Sequence, residues 1–175
     1  MIKSIYFRLH TLLLILAVGA IATSSALGNA TITISAGSGF NDNTPATPVG
    51  GNTGTTVGQQ RLNAFNFAAS IWGATLNSNQ TIVINASFTP QSCTANSGVL
   101  GSAGANTVDR DFPNAAFPGT WYNVALANAL SNSDRNGAGA EINADFNSNL
   151  GTTGCLTNSP WYSVLMVTME TELIS

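Results

Sequence analysis

The chain has 175 residues, of which 7% are charged, with five Lys and Arg against eight Asp and Glu. A nucleic-acid binder needs a basic surface to neutralise phosphate, so this balance excludes that class. The one histidine, His10, lies near the N-terminus. Everything after it is therefore without a Ser-His or Cys-His nucleophile pair and without an HExxH zinc helix.

Lys3 and Arg8 precede an apolar run, Leu12 to Ile21, which gives way to small residues. Basic, apolar and small segments in that order make a secretory signal peptide, and the run is shorter than the ~20 residues of a bilayer span. Small-x-small sites put cleavage after Ala26 (Ser24-Ser25-Ala26) or after Ala30 (Gly28-Asn29-Ala30), so residues 1–30 read as a leader for an extracellular or periplasmic protein without a stable membrane anchor. The remaining ~145 residues suffice for one modest core. They hold three basic residues, Arg61, Arg110 and Arg135, no lysine, and all eight acids, so their net charge is −5. The surface must be covered by Asn, Ser, Thr and Gly.

Along the chain, Ala30 to Ala36 alternates and reads as a strand with Ile32 and Ile34 on one face. Gly37 to Gly58 is loop. Thr56 and Gln59 form a capping-box pattern, followed at helical spacing by Leu62, Phe65, Ala69, Trp72 and Leu76, with Phe67 and Ile71 widening the apolar face. Thr81 to Phe88 reads as a half-buried strand with Ile82, Ile84, Ala86 and Phe88 inward, stopped by Pro90. Gln91 to Pro118 is a long excursion. Trp121 to Leu130 reads as a shorter helix, Ala140 to Asn147 as a third strand with Ile142, Ala144 and Phe146 inward, and Gly151 to Pro160 as loop. This order predicts an α+β fold, a small mixed sheet with two packing helices and much loop.

Cys93 and Cys155 are the only cysteines. In an oxidising compartment they are expected to pair, closing a loop of ~60 residues worth roughly 4 kcal/mol. A metal or redox pair would need CxxC spacing or a partner histidine, and neither is present. The remaining acid–base groups are carboxylates: Asp42, Asp109, Asp111, Asp134, Glu141, Asp145, Glu170 and Glu172. Asp109 and Asp111 flank Arg110 as in a local salt link. Glu141 and Asp145 are four apart on one strand face, opposite the apolar side, which places them toward solvent. Asp134-Arg135-Asn136-Gly137 has the composition of a turn, and Glu141 follows too soon for an EF-hand. Trp72, Trp121 and Trp161 read as core or turn packing. A glycosidase-like carboxylate pair is the weakest reading of the set.

Three stretches carry a family resemblance: GFNDNTPATPVGGNTGTTVGQQRLNAFNFAASIWGATLNSNQTIVINASF, SCTANSGVLGSAGANT and FNSNLGTTGCLTNSPWY. From Gly39 to Tyr162 they resemble the N-terminal half of secreted bacterial zinc-metallopeptidase-like proteins, many of which carry a protease-associated domain farther on. The resemblance implies an incomplete metallopeptidase-like domain over residues 31–162. In that family the chain continues past the WY pair through a Gly/Asn-rich link to a helix bearing HExxH, whose histidines hold zinc and whose glutamate activates the metal's water. No position here matches a catalytic, cofactor-binding or metal-ligating residue. Zinc is therefore expected only in full-length relatives, and a peptide or protein substrate only with the missing half.

Ser163 to Ser175, SVLMVTMETELIS, departs from the family pattern. Codons for this run, read two bases later, force glycine at the Met166–Val167 and Met169–Glu170 junctions. Suitable choices elsewhere allow GLDGNHGNGIDL, similar to the family's link. The expectation is a frameshift near Tyr162 and an aberrant tail. An isolated N-terminal half should also leave the Ile82, Ile84 and Phe88 face of its sheet without a partner helix. Two function readings follow: the inactive N-terminal portion of a secreted zinc-metallopeptidase-like protein, or a stand-alone extracellular binding or surface module.

Overall fold

The computed structural model describes residues 29–165, so residues 1–28, most of the expected leader, and residues 166–175, with Glu170 and Glu172, lie outside the described residues. The order of elements is β1 (Ile32–Ala36), α1 (Val57–Thr75), β2 (Ile82–Thr89), β3 (Gly101–Ala105), β4 (Val108–Asp109), β5 (Tyr122–Asn123), α2 (Val124–Ser131) and β6 (Ile142–Asn147). The described residues form the predicted α+β class, with two helices and a small mixed sheet. The sheet runs β1-β2-β6-β3, with β1, β2 and β6 parallel and β3 antiparallel at the edge.

Helix α1 begins as the capping pattern predicts, with one shift. The Thr56 side chain accepts from the Gln59 N–H, but the Gln59 Oε1 returns to the N–H and hydroxyl of Thr55 rather than to Thr56. The open N–H groups of Val57 and Gly58 are met by the carbonyls of Thr44 and Asp42, so the preceding loop is fastened to the helix start. Gly58 is required there: a Cβ would stand 2.3 Å from the Phe40 carbonyl oxygen. At the other end the buried Ala30 N–H donates to the carbonyls of Gly73 and Leu76, which ties the segment just before β1 to the end of α1.

Packing under α1 centres on aromatic rings. Phe40, Phe65, Phe88, Phe146 and Trp161 meet mostly edge to face at centroid separations of 5.2 to 6.0 Å. The Arg61 guanidinium lies 4.3 Å from the centre of the Phe88 ring and 3.3 Å from Asp42. The expectation of an unpartnered Ile82–Ile84–Phe88 face is thereby corrected. Phe88 is buried beneath Phe40, Phe65 and Trp161, and Ile82 is 9% exposed, but Ile82 and Ile84 both line a groove left open beside α1, so the correction holds for Phe88 and only in part for the isoleucines.

The excursion after β2 holds structure that no periodicity announces. Its segment GSAGA forms β3, pairing with β6 from Gly101–Phe146 to Ala105–Ile142. Backbone groups alone make that ladder, so the lack of β-branched residues does not prevent it. The second helix starts at Val124 rather than Trp121, because Tyr122 and Asn123 pair with β4 as a short ribbon. Helix α2 packs on that ribbon, burying Val124 and Ala127, and ends at Asn132 in the left-handed conformation with φ 52°.

A chain this poor in large apolar residues completes its interior with asparagine. Asn52, Asn128 and Asn147 are essentially fully buried; Asn52 and Asn147 join segments distant in sequence, whereas Asn128 holds the turn that follows its own helix. Asn52 donates to the carbonyls of Gln60 and Ser163 and accepts from the Gly54 N–H and the Asn63 amide. Asn128 donates to Asn136 and Glu141 and accepts from the Arg135 N–H. Among the described residues no buried side-chain polar atom lacks a partner. Cys93 and Cys155 form the expected disulfide, 62 residues apart, linking the loop after β2 to the loop after β6.

Candidate functional site

The two faces of the sheet differ in chemistry, and each is open over part of its area. On the α1 side an apolar groove of about 360 Å³ runs between helix and sheet. Phe65, Ala68, Trp72 and Leu76 form its helical wall, and Ile84, Ile142, Ala103 and Phe146 belong to its floor. Its origin lies in the topology. Parallel strands need helical cover, and right-handed crossovers between strands ordered β1-β2-β6 would bring successive helices onto the same face. Helix α1 takes the position over β1. No residue of α2 lines the groove, so the place beside α1, over β6 and β3, holds no helix among the described residues. Trp72 is consequently 59% exposed. The tryptophans thus divide: Trp161 is core packing, donating its Nε1–H to the Asn147 carbonyl, whereas Trp72 walls the groove and Trp121 lies exposed under Arg110.

The opposite face is polar and holds a shallow hollow of about 520 Å³ lined by Ser35, Asn85, Ser87, Ser102, Asn143 and Asp145 among others. Asp145 is its only ionisable lining group. Its carboxylate accepts from the hydroxyls of Thr89 and Ser87 and from the Gln91 amide. These bonds, that from Thr89 foremost, hold its pKa below the usual carboxylate range against the opposing effect of burial. An acid so depressed and already engaged by three neutral donors is a poor proton acceptor at neutral pH.

Glu141 is not the solvent-facing neighbour of Asp145 that the four-residue spacing suggested. It is 3% exposed and precedes β6, where its carboxylate accepts from the Val83 N–H at 2.6 Å and from Asn128 at 3.2 Å. The alternation rule fails because Glu141 lies just outside the strand, where its side chain closes the end of the β2–β6 ladder. The other carboxylates stand apart. Asp42 binds Arg61, and Asp109 pairs with the Arg135 guanidinium at 2.7 Å while accepting from its neighbour Arg110 only through the backbone N–H. Asp111 is within 3.6 Å of Arg110, and Asp134 caps its own turn through the N–H groups of Asn136 and Gly137, as the turn reading expects. Among the described residues no group of three or more His, Cys, Asp or Glu side chains is placed to hold a metal. No helix among them is long and apolar enough to cross a membrane.

Hydrogen bonding to their ionised forms lowers the pKa values of Asp42, Asp109 and Asp145, in each case chiefly through a side-chain donor: Thr44, Arg135 and Thr89 respectively. A folded-state pKa below the unfolded value of ~3.9 contributes stability above that value and loses it as pH falls through the folded one. Thermal melts should therefore hold a plateau above about pH 4 and drop below it. In Asp145→Asn the plateau should be lower and the acid limb shallower. An acid limb unchanged by that substitution would deny Asp145 its share.

Compared with protein-family models, curated proteins and solved structures, the chain matches none.

Proposed function

We propose that this chain is the non-catalytic N-terminal portion of a secreted zinc-metallopeptidase-like protein, inactive in the form given. The observation that supports it best is the half-covered mixed sheet: among the described residues the groove over β6 and β3 has α1 on one side and no helix on the other, as expected of a domain short of one helix. The leader-like N-terminus and the disulfide agree with export. Because the Ala30 N–H meets the carbonyl end of α1, cleavage after Ala26, which retains Ala30, fits better than cleavage after it. Zinc, a scissile peptide and the residues to act on it belong, on this reading, to a continuation that residues 1–175 do not contain.

A second reading, a stand-alone extracellular binding or surface module, draws support from residues just past Tyr162. The Ser163 carbonyl accepts from Asn52, and the Leu165 N–H donates to the Gly50 carbonyl, so this segment belongs to the described fold. Both bonds use backbone groups, however, which any residues at those positions would offer. Resequencing the locus separates the two. An HExxH helix within ~50 codons of Tyr162 in the alternative frame is the expected result. Stop codons there, with no such motif, would leave the stand-alone module.

A further inference from the structure

We propose that the apolar groove is an interface for a second copy of this chain, filled by the partner's α1. Apolar surface does not end at the groove's wall. From Trp72 and Ala68 it continues around α1 through Ala64 and Ile71 to Phe67, an arc of about 140° at 100° per residue. Phe67, Ile71 and Trp72 are 42, 52 and 59% exposed. Among the described residues helix α1 thus has one face on its own sheet and a second, also apolar, with nothing against it, directly beside the groove.

These two features complement each other under a two-fold axis. Two α1 helices side by side make one layer between two sheets. Each helix then rests on its own sheet and lays Phe67 and Ile71 over the open slot of the other, so one contact, repeated by symmetry, covers both the ridge and the groove. Charge favours a like partner. Between Leu62 and Val108 there is no Asp, Glu, Lys or Arg, so the surplus of acids elsewhere brings no like charges together here, and a charged partner would find no complement. The exposed parts of Phe67, Ile71, Trp72 and Leu76 amount to roughly 400 Å², given ~150–250 Å² for each large side chain. With the half-buried groove residues Ile32, Ile34, Ile84, Ile142 and Phe146, each partner approaches the ~600–800 Å² of a modest specific interface.

Sedimentation velocity on the disulfide-bonded protein tests this. A dimer half-assembled on the order of 10 µM is expected for an interface of this size. Phe67→Glu and Ile71→Glu alter exposed positions and should each weaken association by ~10-fold or more while leaving the monomer's far-ultraviolet circular dichroism unchanged. A monomer at every concentration would overturn the proposal, including one in which residues 166–175 of the same molecule shield Trp72. So would a dimer indifferent to both substitutions. The interface rests on the ridge and groove of the described fold, so resequencing and sedimentation can fail independently of each other.

Discussion

Asn147→Ala is expected to be the most destabilising single substitution in this protein, at about 3–5 kcal/mol. Asn147 is wholly buried at the last position of β6. Its side-chain oxygen accepts from the N–H groups of Gln91 and Asn149, and its amide donates to the Val99 carbonyl at 2.8 Å. Removal strands two donors and one acceptor, each costing ~1–3 kcal/mol where water cannot replace the partner. Partial hydration of the new space reduces that sum. The backbone of Asn147 meets the Leu100 carbonyl and the Trp161 indole, so the same position fastens the edge strand and the aromatic core. Against a usual margin of ~5–15 kcal/mol the variant should be largely unfolded or should melt far below the parent. Urea denaturation followed by tryptophan fluorescence measures it. A loss under about 1 kcal/mol would mean that the loops re-pair without Asn147.

Reducing the disulfide, or replacing both cysteines with serine, should cost about 4 kcal/mol, the loop-closure entropy that a link between residues 62 apart removes from the unfolded chain. The cost is comparable to that of Asn147→Ala, and the two are not independent. The Asn147 amide lies 3.9 Å from the Cys155 sulfur, and Asn147 and the disulfide hold the same loops. A double-mutant cycle should therefore show less than additive loss, because once one tie is gone the other restrains a segment already partly free. Additive losses measured by denaturation would show that the two ties act on separate parts of the structure. A reduced protein with an unchanged midpoint would show that the loops are held without the disulfide.

Elements with side-chain periodicity could be read directly. Helix α1 was legible from Thr56, Gln59 and the spacing of Leu62, Phe65, Ala69 and Trp72, and strands β1, β2 and β6 from alternating isoleucine, alanine and phenylalanine. Strand β3 was not, because a GSAGA segment carries no pattern and pairs through its backbone alone. The first turn assigned to the second helix became β5 because β4, itself only two residues long, was there to pair with it. Of the candidate groups, Glu141 was misread for want of a two-residue boundary. The donors around Asp145 could have been found by noting Ser87 and Thr89 on one face of β2, in register with Asp145 and Asn147 on β6.

By itself the sequence determined the class of fold, the disulfide partners available, and the lack of histidine after residue 10. These follow from composition and from short-range periodicity, which neighbouring residues impose on one another. Only the tertiary structure decided that asparagines would complete the core, that Glu141 would be buried, and that the cover of the sheet would stop halfway, leaving Trp72 and Ile71 exposed. Those outcomes depend on which distant segments meet. A polar side chain can be buried only when a remote carbonyl or N–H arrives to satisfy it, and a groove exists only where no element packs.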